Sequence, residues 1–174
     1  MRLPRSGPPG SGRAGQPQAP VNHNGRAEMT GNRETIAIAS DHAGFELKET
    51  LKGVLSELEF SPLDLGTGGS ASVDYPDFAD RLAAALTDGR ALRGVLVCGT
   101  GIGISMAANR HRHIRAAVVH DATSARLTRL HNNANVLCLG ARLIGLDVAK
   151  DCLRVFLETD FEGGRHQNRV AKLG

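Results

Sequence analysis

From Thr35 onward the apolar positions alternate between two patterns: short continuous runs, and longer stretches in which they recur about every three to four residues. Thr35-Ile36-Ala37-Ile38-Ala39 reads as a buried strand. After Asp41-His42-Ala43-Gly44, a helix would place Leu47, Leu51, Val54, Leu55 and Leu58 on one face. Phe60 to Leu65 is the second strand, closed by the turn Gly66-Thr67-Gly68-Gly69-Ser70. Tyr75-Pro76-Asp77 opens a helix through Ala79, Leu82, Ala83 and Leu86, with Pro76 in the first turn, where its missing N–H costs little. Gly94 to Cys98 is a third strand, followed by the loop Gly99 to Ser105 and a helix to about Arg110. A strand from Ile114 to Val119, a helix from Thr123 to His131 and a strand from Asn135 to Leu139 come next. The last long helix would carry Val148, Cys152, Val155 and Phe156 on one face. Strand and helix in regular alternation predict a single α/β domain, a three-layer sandwich around a five-stranded, parallel, doubly wound, Rossmann-like sheet.

Before the first strand the pattern vanishes. Residues 1–32 hold five of the seven Pro and six Gly with almost no large apolar side chain, so they cannot offset the entropy of ordering and are expected to be a disordered leader to a domain spanning 33–174. Pro and Gly every few residues would break the amphipathic helix that a transit peptide needs, and Met29 is an alternative start just before the first strand. The leader also accounts for the formal net charge of +3: residues 1–33 carry five Arg against one Glu, and the remainder holds 16 basic against 17 acidic residues. A near-neutral domain gives no electrostatic footprint for nucleic acid. No apolar run reaches the roughly 20 residues of a membrane span, and three Cys at spacings that match no zinc motif argue for a reducing compartment. A cytoplasmic protein is expected.

In a doubly wound sheet, ligands bind where the loops following the strands converge. Asp41 and His42 follow the first strand, Cys98 and its glycine loop the third, and Arg142 the fifth. His131-Asn132 at the end of the fourth helix and Arg165 and Arg169 in the tail complete the candidate set. Alternating glycines allow backbone N–H groups to approach an oxyanion, although they would equally make a tight turn. Most free Cys are small buried hydrophobes, which is the reading for Cys138 and Cys152; Cys98 differs by ending its strand at the mouth of the loop. Arg165 and Arg169 would share a face if the tail turns helical, forming a fork for a phosphate. A thiol, a carboxylate, imidazoles and guanidinium groups together suit a phosphorylated substrate.

The segments Ser40-Asp41-His42-Ala43-Gly44-Phe45, Cys98-Gly99-Thr100-Gly101-Ile102-Gly103-Ile104-Ser105, His131-Asn132-Asn133-Ala134-Asn135 and Gly163-Gly164-Arg165-His166-Gln167-Asn168-Arg169 closely resemble the type B ribose-5-phosphate isomerases, a family that includes the galactose-6-phosphate isomerase subunits. The resemblance runs from Thr35 to about Val170 in the family's motif order. It implies an aldose–ketose isomerase of the non-oxidative pentose phosphate pathway, working through a cis-enediolate with Cys98 as base and His131 assisting ring opening, and with Thr100 and Asp41 completing the catalytic set. Asp41, Gly99, Thr100, Gly101, Ile102, Gly103 and Asn132 would hold sugar oxygens, and His42, Arg142, Arg165 and Arg169 the phosphate. It further implies a homodimer or tetramer whose site is shared between subunits through the His-Asn pair, with no metal or organic cofactor. The presence of Cys98, where some members carry Ser, groups this chain with the thiol type. Ser40 and the leader depart from the family pattern without touching this chemistry.

Two other readings compete. One is an aldohexose 6-phosphate such as allose or galactose 6-phosphate as substrate. The other is a nucleotide-binding regulatory module, in which Asp121, 20 residues after Gly101, would bind a ribose; against it, Met106 stands where a dinucleotide loop needs its third Gly.

Overall fold

The structure, a computed structural model, describes residues 33–173, so the expected disorder of residues 1–32 lies outside the described residues. Five strands, β1 (Thr35–Ser40), β2 (Ser61–Asp64), β3 (Arg93–Cys98), β4 (Ala116–Val118) and β5 (Val136–Gly140), form one sheet in the order β2-β1-β3-β5-β4. Every pairing is parallel. The helices are α1 (Phe45–Glu57), α2 (Tyr75–Thr87), α3 (Ile102–Ala108), α4 (Ala122–Asn132), α5 (Leu146–Glu158) and a short α6 (Gln167–Val170). The α/β sandwich expected from the alternation is the fold observed.

The two-residue period of the strands creates two cores. Ile36 and Ile38 of β1 point into one layer with Leu51 and Leu55 of α1, Ala125 of α4 and Leu153 and Phe156 of α5. Ala37 and Ala39 point the opposite way, where α2 and α3 bring Leu82, Ala83 and Ile104 against the sheet. Small residues on that face let the helices approach closely: a Cβ at Gly94 would stand 2.8 Å from Leu82 Cδ1. Full burial of each Leu, Ile or Phe contributes about 1.5–3 kcal/mol, so the stability of this Trp-free, Phe-poor core is spread over many aliphatic contacts.

Boundaries shift where tertiary contacts decide them. β4 keeps only Ala116–Val118 of the expected Ile114–Val119, and α3 stops at Ala108 rather than near Arg110. Val148, expected on the buried face of α5, is exposed; the buried face is Ala149, Cys152, Leu153, Phe156 and Leu157 instead, one position further along the helix that starts at Leu146. Cys138 and Cys152 are fully buried, and desolvation pushes both thiols up, Cys152 to about 11, as packing residues require. Among the described residues no helix is long and apolar enough to cross a membrane.

Candidate active site

All strands being parallel, their carboxyl ends gather on one edge of the domain. There, β3 delivers Cys98 with its side chain almost completely buried, and the chain turns sharply through Gly101, whose φ of +77° suits glycine. A Cβ at Gly101 would also meet the Leu139 carbonyl carbon at 3.0 Å. This turn folds the Gly101 N–H back to donate to Cys98 Sγ at 3.1 Å. Burial alone would not separate Cys98 from Cys138. The N–H aimed at its sulfur does: Cys98 Sγ accepts a backbone donor from the loop that follows it, at the mouth of the site. Thr100 is exposed at the turn, its Oγ1 accepting from the Ile102 N–H at 3.3 Å.

Neighbouring loops converge on that sulfur. The N–H groups of Ala141 and Arg142 donate to the carbonyls of Cys98 and Gly99 at 2.9 and 3.0 Å, which fixes the loop after β5 against the loop after β3. The Arg142 side chain crosses over Gly99: a Cβ built there would lie 3.6 Å from Arg142 Cδ and 3.7 Å from the Ala43 Cβ. Asp41, buried at the end of β1, caps the 3-10 turn His42–Gly44 by accepting the Gly44 N–H at 3.0 Å on Oδ1. Its Oδ2 makes no hydrogen bond to a described residue and is available to a hydroxyl. His42 Nδ1 lies 3.2 Å from the Val73 nitrogen and 3.3 Å from the Val73 carbonyl oxygen, so either tautomer ties the ring to that segment. Asp41, His42, Cys98, the Gly99–Gly103 loop and Arg142 are therefore one constellation.

The other candidates are elsewhere. Because α4 runs antiparallel to the strands, His131 and Asn132 end beside the amino ends of β4 and β5, where the Asn135 N–H donates to the Arg115 carbonyl at 3.2 Å. The tail joins them there: the Glu162 N–H donates to the Leu130 carbonyl at 3.1 Å, and the His166 ring stacks on His131 with centroids 4.4 Å apart and planes 12° apart. Arg165 and Arg169 are exposed on this segment, which does turn helical, as a 3-10 turn at Gly164–His166 running into α6. Within one chain His131, Asn132, Arg165 and Arg169 thus lie apart from Cys98, and the resemblance assigns the His-Asn pair to the site of a second subunit. Six residues of β3, about 20 Å of extended backbone, separate the two edges.

What holds this second cluster was not legible in the motifs. Arg129, nine-tenths buried, donates to the carbonyls of Ala134 and Thr159 and to Asn133 Oδ1, with its guanidinium 5.5 Å from the Phe156 ring centre. It ties the end of α4 to the start of the tail. Arg165 Nε donates to His166 Nε2 at 3.3 Å, which keeps that ring neutral; desolvation, the adjacent His131 and Arg165 hold its pKa below the ordinary value. His131, Glu162 and His166 offer atoms within 4.8 Å of one another, but face-to-face stacking leaves the in-plane lone pairs of the two rings parallel rather than converging on one ion. Tyr75 is a further unanticipated neighbour of the carboxyl-end loop, its ring lying against Gly103. Asp121 is occupied as the cap of α4, accepting the Ser124 N–H at 2.8 Å, which leaves the nucleotide reading without its ribose ligand.

A family model described as "Ribose/Galactose Isomerase" matches residues 36–173. Ribose-5-phosphate isomerase B of Escherichia coli is 45% identical over 135 residues, covering 78% of this chain and 91% of that protein. D-erythrulose-4-phosphate isomerase of Pectobacterium atrosepticum is 43% identical over 143 residues, covering 80% and 93%. The crystal structure of a ribose 5-phosphate isomerase from Thermotoga maritima superposes with a TM-score of 0.79 at 48% identity, covering 82% of this chain and 98% of that one.

Proposed function

The chain belongs to the ribose/galactose isomerase family and is a sugar-phosphate aldose–ketose isomerase; from that premise we propose that it interconverts ribose 5-phosphate and ribulose 5-phosphate, with Cys98 as the base. The observation that carries the reading is the Gly101 N–H held 3.1 Å from Cys98 Sγ, in a loop flanked by Asp41, His42 and Arg142. Isomerisation breaks the C2–H bond of the aldose and forms a C1–H bond of the ketose, with the O2 hydroxyl proton ending on O1. One base on one face of a cis-enediolate can take the proton from C2 and return it to C1. In this reading Cys98 is that base. Thr100 and the amides of Gly99 to Gly103, Ile102 included, hold the enediolate oxygens. Asp41 Oδ2 and Asn132 take sugar hydroxyls. His42, Arg142, Arg165 and Arg169 bind the phosphate, and that remote binding energy aligns C1 and C2 with the sulfur. Ring opening falls to His131.

Within a chain His131 and Cys98 lie at opposite edges of the sheet, so the proposal includes a homodimer, or a tetramer of such dimers, in which the amino edge of one subunit completes the carboxyl edge of the other. What supports this is the split itself: each chain holds both halves, and neither half has a base, a ring-opening group and a phosphate fork together. Mixing inactive Cys98→Ala with inactive His131→Ala, after subunit exchange, should restore up to about a quarter of wild-type activity, because half of the dimers are mixed and each mixed dimer has one intact site. Continued inactivity of freely exchanging mixtures would refute the shared site. Pentose specificity is tested by assaying ribose 5-phosphate beside allose 6-phosphate, galactose 6-phosphate and erythrulose 4-phosphate. Faster turnover of a hexose or tetrose would replace the substrate while leaving the reaction type intact.

A further inference from the structure

α2 begins at Tyr75, and that tyrosine turns its ring onto the loop after β3. A Cβ built on Gly103 would lie 2.7 Å from Tyr75 Cζ, 3.0 Å from its Oη and 3.1 Å from its Cε2. The ring edge and hydroxyl thus occupy the space that any side chain at position 103 would take. The ring is only partly covered, with 39% of the residue exposed, and the hydroxyl makes no hydrogen bond to a described residue. The phenol is an O–H donor with no acceptor among the described residues, at the mouth of the loop that carries Cys98.

The segment leading to Tyr75 is held in register with the same site. His42 Nδ1 lies within hydrogen-bond distance of the Val73 backbone, at 3.2 Å from its nitrogen and 3.3 Å from its oxygen, and the turn after β2 is pinned to Ser40 by Ser40 N–H to Gly66 carbonyl at 2.7 Å and Thr67 N–H to Ser40 carbonyl at 2.8 Å. Phe78, one turn further along α2, is buried in the core and fixes the start of the helix. The position of the hydroxyl therefore follows from the geometry of Asp41-His42 rather than from a loose loop.

We propose that Tyr75 is a substrate-contacting residue, its ring forming the wall of the site over Gly103 and its hydroxyl donating to an oxygen at the C1–C2 end of the sugar phosphate. The inference rests on the isomerase reading and extends it to a residue on a different element. It explains why Gly stands at 103 as a matter of space: a methyl there would push the phenol out of the site.

The composition supplies a direct probe, because Tyr75 is the only Tyr and the chain has no Trp. In Cys98→Ala, adding ribose 5-phosphate should change tyrosine emission saturably. Tyr75→Phe, which keeps the ring, should lower kcat/KM about ten- to a hundredfold, the loss expected for one hydrogen bond to a developing oxyanion, with unchanged circular dichroism. Gly103→Ala should lose activity in the wild-type background but little more in Tyr75→Ala, because the methyl then meets no ring. Wild-type kinetics in Tyr75→Phe, or emission unaltered at saturating substrate while the wild-type enzyme turns over, would overturn the inference. If ribose 5-phosphate is inert but another sugar phosphate is turned over and shifts the emission, the pentose assignment falls and the role of Tyr75 stands.

Discussion

The two edges of the sheet are built on different principles. At the carboxyl edge the functional groups sit on backbone: Cys98 ends a strand, the glycine turn is fixed by its own dihedral angles, and Asp41 caps a turn within the same short motif. At the amino edge they sit on side-chain contacts between segments distant in sequence: His131 is held by stacking on His166, and the tail is tied to α4 through Arg129 and Glu162. Under the proposed function the base lies on the first edge, while the ring-opening group and the tail arginines lie on the second. The proposed site shared between subunits would join one of each.

Cys98→Ala is the sharpest probe of this division. Removing the proposed base should lower turnover by at least about a thousandfold while substrate binding and thermal stability remain close to wild type, since one small buried side chain replaces another. Measuring exchange of the C2 proton with solvent, beside a calorimetric binding isotherm, checks both halves. Retained exchange would remove Cys98 from the chemistry.

The same division explains what could be read from the chain alone. Strand and helix order, the glycine loop and the Asp41-His42 turn are properties of contiguous residues, and hydrophobic period and turn chemistry specify them locally. The geography of His131 and Arg165 is not local. The motif order suggested one constellation, but α4 and α5 each carry the chain back across the sheet and deliver those groups to the opposite edge. Arg129, one basic residue in Arg126-Leu127-Thr128-Arg129, gives no sign in sequence that it is buried; only the free carbonyls at the end of α4 and after α5 demand it. Val148 was misplaced for a related reason: the helical period was right, but the phase of burial depends on where the helix meets the sheet.

Arg129→Met should act on the amino edge first. It keeps much of the packing on Phe156 but leaves the buried carbonyl of Ala134 without that donor, at about 1–3 kcal/mol, and the half-buried carbonyl of Thr159 as well, at a smaller cost. For a chain of this size a Tm lower by roughly 5–15 °C follows, with a raised KM and, in a fully folded sample, proton exchange at C2 of pre-opened substrate much less affected. Equal losses in KM and in exchange would show that the two edges are not energetically separable.

The smallest effect expected is a pH dependence confined to the amino edge. Desolvation, the His131 ring from α4 and the guanidinium of Arg165 hold His166 below the ordinary histidine value, with Arg169 adding to the effect and the Glu162 carboxylate opposing it. The native state therefore keeps His166 neutral at a pH where the unfolded chain already binds a proton. Between the ordinary value of about 6.5 and the depressed one, the unfolded state holds more protons, so stability falls as pH falls through that window and is unaffected above it. Melting wild type and His166→Gln at about pH 7.5 and about pH 5.5 tests the sign. Gln still offers an oxygen to Arg165 but cannot be protonated, so its melting temperature should drop less on acidification than that of wild type. An equal or larger drop in the variant would mean that the acid sensitivity arises away from the stacked pair, and the amino edge would lose its distinction as the part of the molecule that responds to its charge state.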